Sequence, residues 1–239
     1  MKTIYVNGQV YTGTLPLVTA FAVENGKFIF AGDDAQARAL QVVDLGGRFV
    51  CAGFNDSHMH LTNFGQAAGA ALLAEHTSSL EDLLQCLRDF QAAHPVKEGG
   101  WLIGRGWNQD YFSGEKVMPT RWDLDKVSTS VPIIITRACG HSCVVNSKAL
   151  ELIGVTPDTQ PPQGGAIGVE NGELDGRFYD GAMVFVHNAM PIAGKEQVKD
   201  MMRLACKMLN SYGVTSSQSD DLVSIKGVPW QTIIDAYQE

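Results

Sequence analysis

The sequence predicts an α/β protein, and three observations support this prediction. Two Asn-Gly dipeptides near the N-terminus separate short apolar stretches, as they do in β-hairpins. An apolar stretch at 49–54 is followed closely by His58 and His60. Apolar residues recur every three or four positions over 195–212, which indicates a helix, and a strand-like stretch at 214–218 follows it. A helix that leads directly into a strand is typical of an α/β sheet.

The composition is that of a globular protein. Of the 239 residues, 45% are hydrophobic and 18% are charged, which is enough apolar material for a sizeable core in one or two domains. The net charge of −8 argues against nucleic acid and anionic membrane surfaces as partners. We expect no signal peptide and no membrane span, since no apolar run approaches ~20 residues. Five cysteines without a regular framework favour a reducing, cytoplasmic location.

Residues 1–48 are predicted to form a small antiparallel β unit. Each Asn-Gly dipeptide supplies the positive φ angles of a two-residue hairpin turn, so two hairpins are expected. Their strands are 3–6 with 9–11, and 21–24 with 27–30. A short helix is expected from Asp33 or Asp34 to Leu40, and then a buried strand at 49–54.

The middle and the end of the chain alternate between predicted helices and strands. Ser78 and Glu81 form a capping-box signal before the most regular early helix, at 80–93. The other predicted helices or helical turns are at 65–74, 120–123, 146–153, 195–212 and 229–237. The other predicted strands are at 101–104, 131–137, 166–169, 173–178 and 214–218.

His58 and His60 are candidate metal ligands. Side chains alternate between the two faces of an extended backbone, so these histidines point the same way. Two neutral imidazoles side by side at the end of a strand can begin a metal site. Asp56 shares the face of His58 and could orient a metal-binding ring. The alternatives are two surface histidines in a loop and a carboxylate that caps a local turn.

Two further groups of residues are weaker candidates. Cys139, His141 and Cys143 alternate after a strand and could form a second zinc site, but no fourth ligand is near and the spacing is not that of a zinc finger. Trp107 and Asp110 lie in a glycine-rich loop, where they could supply an aromatic wall and a polar contact to a substrate pocket. A tryptophan packed beneath its own loop is the equal alternative.

Six motifs in order along the chain resemble one known group of enzymes. They are Gly53-Phe-Asn-Asp-Ser-His-Met-His60, Gly104-Arg-Gly-Trp107, Pro119-Thr-Arg-Trp-Asp-Leu-Asp125, Gly140-His-Ser-Cys-Val-Val-Asn-Ser-Lys-Ala-Leu150, Pro161-Pro-Gln-Gly-Gly165 and Tyr212-Gly-Val-Thr215. They resemble the amidohydrolase superfamily, and within it the YtcJ-like branch related to N-substituted formamide deformylase.

The resemblance implies the N-terminal part of a metal-dependent hydrolase, a (β/α)8 TIM barrel with a small β-sandwich, with the barrel incomplete in this chain. Residues 1–48 would be the N-terminal part of the sandwich. Residues 49–74 would hold the first barrel strand and the metal motif, and 75–185 would be an insertion before barrel strand two. Residues 186–239 would be a truncated region around the second barrel strand.

The resemblance also implies a function. The expected enzyme is a metal-dependent amidohydrolase that cleaves a C–N bond, of an amide or an N-substituted formamide, through a metal-activated water. His58 and His60 would bind a divalent metal, with zinc the expected ion, and the catalytic residues are expected beyond residue 239. His141 falls in a family motif and joins Trp107 and Asp110 as a substrate-pocket residue.

The expected partner is a small amide-type molecule, with no nucleic acid or membrane, and a homo-oligomer is left open. A second hypothesis comes from a different class. The chain would be a truncated, catalytically incomplete fragment that acts as a binding or regulatory protein, similar to regulators of exoenzyme production.

Overall fold

The computed structural model describes residues 2–34 and 41–239, and it has the expected mixture of helices and strands. The predicted helix that ends at Leu40 lies almost entirely outside the described residues. The chain divides into two compact units. The N-terminal unit comprises Met1–Ser57 and Asn210–Gln218, and the main unit comprises His58–Leu209 and Ser219–Glu239.

The strands and helices have the following bounds. The strands are β1 (Lys2–Val6), β2 (Gln9–Val10), β3 (Ala20–Glu24), β4 (Lys27–Gly32), β5 (Gln41–Asp44), β6 (Phe49–Val50), β7 (Phe54–Met59), β8 (Ala71–Leu72), β9 (Leu102–Trp107), β10 (Ile133–Arg137), β11 (Ser142–Val145), β12 (Ala166–Glu170), β13 (Glu173–Tyr179) and β14 (Val214–Ser219). The α-helices are α1 (Leu61–Ala68), α2 (Leu80–Ala93), α3 (Arg121–Asp125), α4 (Ser147–Ile153), α5 (Met183–Ala189), α6 (Lys195–Ser211) and α7 (Trp230–Gln238).

The N-terminal unit contains a four-stranded sheet in the order β4-β3-β1-β5. The second predicted hairpin is confirmed, because β3 and β4 pair antiparallel with Glu24 opposite Lys27. Asn25 and Gly26 have φ of 52° and 75°, and positive φ at both central residues is what a type I′ turn requires.

The first predicted hairpin is wrong. Asn7 has φ of 55°, but Gly8 does not follow it into the positive region, so a type I′ turn does not form. The next backbone N–H groups bind other segments: Gly8 donates to the Thr19 carbonyl and Gln9 to the Arg48 carbonyl, each at 2.9 Å. β1 therefore pairs with β3 and β5, and β2 pairs in parallel with β6.

The predicted buried strand at 49–54 is also wrong. β6 covers only two residues there, and β7 begins at Phe54 and runs on through His58. Phe49 and Phe54 are 60% and 61% exposed. Among the described residues β7 has one neighbouring strand, β14. His58 thus lies within a strand instead of after it.

The main unit is built on a six-stranded mixed sheet in the order β12-β13-β11-β10-β9-β8. β8, β9 and β10 run parallel, and β11, β13 and β12 pair antiparallel. Side chains of β10 alternate between the faces. Ile133 and Ile135 pack in one apolar cluster with α2, and Ile134 packs in another with α4 and α5. Helices therefore cover both faces of the sheet.

Most helices of the main unit follow the sequence closely, but α5 (Met183–Ala189) was not predicted and α1 has other bounds than expected. α2 has the predicted bounds, although its N-cap is Ser79, whose hydroxyl accepts a hydrogen bond from the Asp82 N–H at 3.1 Å. α6 packs against α7 through a third apolar cluster. The helix predicted at 65–74 is observed as α1 at Leu61–Ala68, and Ala71–Leu72 form the strand β8 instead. In the part of the chain that the structure describes, none of the helices combines the length and apolar character needed to cross a membrane.

Candidate metal centre

His58 and His60 lie side by side where β7 passes into α1. His58 is in the strand, and His60 occupies the N-cap position of the helix. Their ring centroids are 5.5 Å apart, with the ring planes at 75°. Both side chains are exposed. The two imidazoles are therefore neighbours on one side of the backbone, as the alternation along the strand predicts.

A backbone carbonyl orients the ring of His60. Nδ1 of His60 lies 2.7 Å from the carbonyl oxygen of Asp220, just after β14. A carbonyl oxygen can only accept a hydrogen bond, so in the neutral ring the proton is on Nδ1. In this tautomer the lone pair is on Nε2, so Nε2 is the nitrogen that can bind a metal. A hydrogen bond from the other ring nitrogen to a carbonyl is a common feature of metal-binding histidines.

The segment that follows β14 is joined to the histidine segment by further bonds. Asp220 N–H donates to the Met59 carbonyl at 3.0 Å, and the Ser219 Oγ lies 3.2 Å from the same carbonyl oxygen. The Leu61 N–H donates to the Ser219 Oγ at 2.9 Å. α1 has no side-chain cap from its own N-cap residue, so residues 158 or more positions later satisfy its first N–H groups.

Asp221 is the centre of this network, and its side chain is only 2% exposed. Its carboxylate accepts bonds from the Thr62 N–H and hydroxyl, at 3.1 and 2.8 Å, and from the Ser219 hydroxyl at 2.7 Å. The hydroxyls of Ser224 and Tyr237 also donate to it. Burial raises the pKa of the Asp221 carboxyl, but the bonds from Tyr237, Ser219 and Thr62 outweigh burial and hold that pKa below its ordinary value.

These residues were not found by sequence reasoning. The available signal was the run Ser219-Asp-Asp directly after a predicted strand, because polar groups at the carboxyl end of a strand often serve a site. Nothing in the local sequence indicates that this run meets Met59, His60 and Thr62.

The donor chemistry fits a partial metal site. Two imidazoles suit zinc, but a catalytic zinc has three protein ligands. In the described ranges, 2–34 and 41–239, no group of three or more His, Cys, Asp or Glu side chains is placed to hold an ion. Asp56 lies two residues before His58 on β7 and is partly buried. The roles of His58, His60 and Asp56 at a metal stay predictions.

Trp107 is in the core of the main unit. Its side chain is 0% exposed and packs in the apolar cluster with α2, and its Nε1 has no hydrogen-bond partner among the described residues. This position favours a tryptophan packed beneath its loop over a wall of a pocket. Its role at a substrate stays a prediction.

Asp110 is exposed and forms an ion pair with Arg137, at 2.8 Å from Nη2. Asn108 and Gln109 accept bonds from the same guanidinium at 2.9 and 3.0 Å. The turn after β9 therefore closes over the end of β10, where Arg137 lies. Asp110 has a structural partner, and its role in a pocket also stays a prediction.

His141 is exposed and its Nδ1 lies 3.0 Å from Oδ1 of Asp180. The structure does not bring it together with both neighbouring cysteines. Cys143 is buried in the sheet, and burial raises the pKa of its thiol to about 12. Cys139 is exposed, and a bond from the His141 N–H, helped by Arg137, lowers the pKa of its thiol. The alternative of a second zinc site thus has no support in the geometry of these three residues.

Comparison with known proteins gives a family and three curated relatives. The model of the family described as "Amidohydrolase family" matches residues 41–235. YtcJ of Bacillus subtilis is 30% identical over 231 residues, which are 93% of this chain and 43% of YtcJ. The exoenzymes regulatory protein AepA of Pectobacterium carotovorum is 29% identical over 90% of this chain and 48% of AepA. N-substituted formamide deformylase of Arthrobacter pascens is 27% identical over 71% of this chain and 32% of the deformylase.

A solved structure supports the same relationship. An uncharacterized metal-dependent hydrolase from Pyrococcus horikoshii OT3 superposes with a TM-score of 0.70 and 26% identity. The match covers all of this chain and 45% of that one. The chain therefore has the fold of the N-terminal part of a larger α/β protein, and its described residues do not close a barrel. It spans less than half the length of each of these curated relatives.

Proposed function

The chain belongs to the amidohydrolase family, and on that premise we propose that it is part of a metal-dependent hydrolase that cleaves C–N bonds. The observation that carries the proposal is the geometry of His60. Its Nδ1 is bound to the Asp220 carbonyl, and its ring lies 5.5 Å from that of His58. Two neighbouring imidazoles, one of them oriented by a backbone carbonyl, supply part of the ligand set that a metal centre needs.

His58 and His60 would hold the ion, and zinc is the proposed ion because imidazole suits it. When bound, a divalent ion supplies Lewis acidity towards a carbonyl group and lowers the pKa of water. The neighbouring residues of this chain orient the metal-binding rings. Asp220 holds the proton at Nδ1 of His60 and so keeps Nε2 available, and Asp56 is proposed to act in the same way on a metal-binding ring.

The proposed substrate is a small amide or N-substituted formamide. The similarity to N-substituted formamide deformylase supports this class, since that protein is named for such a substrate. Of the three proposed pocket residues, His141 and Asp110 have exposed side chains that could meet a substrate. Trp107 is buried and would contribute by supporting the loop that carries Asp110.

We also propose a cytoplasmic location. All five cysteines are free thiols, two of them in or against the apolar clusters of the main unit. A reducing compartment keeps cysteines as free thiols. An assembly of identical chains is compatible with the proposal, and the described surface does not require one.

Metal analysis of the purified 239-residue chain tests the proposal. After loading with zinc and desalting, we expect close to one zinc per chain by mass spectrometry, and a loss of that zinc in His58→Ala and in His60→Ala. His94→Ala is the matched control, because His94 is also exposed and its Nδ1 also lies near a backbone carbonyl, that of Phe90 at 3.2 Å. Equal zinc in all four proteins, or none in the unmutated chain, contradicts the proposal.

A binding or regulatory role is the second candidate. Two observations favour it: the similarity to AepA, whose name is that of a regulatory protein, and the finding that the described residues place no third ligand near the histidine pair. Hydrolysis of a panel of N-substituted formamides separates the two candidates. Turnover that depends on His58 and His60 supports the enzyme, and a metal-free chain without turnover supports the regulator.

A further inference from the structure

The carbonyl that orients His60 belongs to a peptide plane that is itself held in place. This plane joins Asp220 to Asp221. In the peptide group just before this plane, the Asp220 N–H is bound to the Met59 carbonyl at 3.0 Å. After the plane, the carboxylate of Asp221 is buried, and both of its oxygens accept hydrogen bonds. The plane therefore lies between two anchored points, the Asp220 N–H at Met59 before it and the side chain of Asp221 after it.

Asp221 is anchored to three separate segments. It accepts two bonds from Thr62 at the start of α1, one from Ser224 in the following turn, and one from Tyr237 on α7. A negative side chain at the first N–H groups of a helix is also favoured by the helix dipole. A carboxylate with so many donors has little freedom, because each movement would leave a buried polar group without a partner.

We propose that Asp221 is the positioning residue of the metal centre, because it fixes the Asp220 carbonyl that holds the proton on Nδ1 of His60. This inference rests on the proposed function in so far as it concerns metal affinity. The proton on Nδ1 of the neutral His60 ring is expected with or without metal. Outer hydrogen-bond partners of metal-binding histidines typically contribute 10- to 100-fold to metal affinity.

Asp221→Asn tests the proposal with zinc as the probe. The amide keeps the size of the side chain but places an NH2 group against the donors of Thr62, Ser219 and Tyr237. We expect the dissociation constant for zinc, measured by competition with a coloured chelator, to rise by about 10- to 100-fold. Asp175→Asn is the matched control: Asp175 is 3% exposed, lies in the same unit and binds Arg177, so its loss affects stability without touching His60.

If Asp221→Asn does not fold, as judged by circular dichroism, Tyr237→Phe replaces it. This change removes one bond to Asp221 and leaves the ring in place, so a smaller loss of zinc affinity in the same direction is expected. Unchanged zinc affinity in a folded Asp221→Asn or Tyr237→Phe variant overturns the proposal, and so does an equal loss in Asp175→Asn.

A second readout does not depend on metal. In the metal-free, 15N-labelled chain, long-range 1H–15N correlation reports which nitrogen of His60 carries the proton, and His60→Gln assigns the signal. We expect the Nδ1–H form in the unmutated chain and a mixture of both forms in Asp221→Asn. If the unmutated chain binds no zinc, the proposed function fails. The spectrum still tests the positioning role of Asp221, because an unchanged Nδ1–H signal in Asp221→Asn overturns that role.

Discussion

At the scale of single residues, the partner of each histidine separates their possible roles. His76 and His141 face the carboxylates of Asp82 and Asp180, each at 3.0 Å. His60 faces a backbone carbonyl instead. His94 also faces a backbone carbonyl, that of Phe90, but only His60 has a second imidazole beside it as well, that of His58. The combination of neighbours, and not one partner alone, is what distinguishes His60.

The cysteines give a prediction at this scale. The Cys139 thiol is exposed and its pKa is lowered by the His141 N–H and by Arg137, whereas burial raises the pKa of Cys143 to about 12. The thiolate is the nucleophile, so iodoacetamide at pH 7.5 should modify Cys139 more than about 10-fold faster than Cys143. Mass spectrometry of peptides after timed quenching measures both rates, with Cys139→Ser as the control. Similar rates in the native chain would mean that the sheet around Cys143 is open.

At the scale of elements, Asn146 is the N-cap of α4 and has a second task as well. Its Oδ1 accepts from the Ala149 N–H at 3.0 Å and from the Ile133 N–H at 2.9 Å. Its Nδ2 donates to the carbonyls of Ser128 and Val131. The side chain is 0% exposed, so the cap of α4 also ties that helix to β10.

Asn146→Ala should therefore cost more than the loss of an ordinary cap. We expect the free energy of unfolding to fall by more than about 2 kcal/mol, since a cap is lost and buried groups are left without partners. Asn146→Asp should also be destabilising, because a carboxylate cannot donate to the two carbonyls. Urea unfolding followed by circular dichroism measures both, and a cost of only a few tenths of a kcal/mol would show that water replaces the side chain.

A close approach of two helices is a second feature of this scale. A Cβ added at Gly65 in α1 would lie 2.0 Å from the backbone oxygen of Met201 in α6. Gly65→Ala should push the helices apart and lower the free energy of unfolding by about 1–3 kcal/mol. Gly114→Ala is the control, because nothing lies within 4 Å of its added Cβ. Equal stability of the two variants, by urea unfolding, would contradict the close packing of α1 on α6.

At the scale of the whole molecule, the described chain holds one complete sheet and the beginning of a larger fold. The six-stranded sheet runs from β8 to β13 and has apolar clusters on both faces. It falls largely within 75–185, the stretch predicted to be an insertion between two barrel strands, and that assignment stays a prediction. The structure from Pyrococcus horikoshii covers the whole chain with 45% of its own length.

Zinc should stabilise the whole chain by mass action. At free zinc equal to 100 times the dissociation constant, a single site on the native state adds about 2.7 kcal/mol to the free energy of unfolding. We expect this gain in urea unfolding with zinc compared with EDTA, and we expect it to vanish in a His58→Ala, His60→Ala double variant. The same gain in the double variant would assign the zinc to another site.

Several elements were predictable from the sequence because their signals are local. The Asn25-Gly26 turn, the bounds of α2 and the cap of α4 depend on residues within one turn or one hairpin. The failures have one common cause. The hairpin at Asn7 and the start of α1 were decided by partners more than ten residues away, at Thr19 and Arg48 in the first case and at Ser219 and Asp221 in the second.

The candidate site also has a part that local sequence predicts and a part that depends on distant contacts. By itself the sequence determined the α/β class, the family and the histidine pair, because periodicity and ordered motifs are written in neighbouring residues. Only the tertiary structure decided that Asp220 orients His60 and that Asp221 anchors it, because residues 160 positions apart come together there. Such contacts join α1 and α7 to residues 219–221, and no local pattern records them.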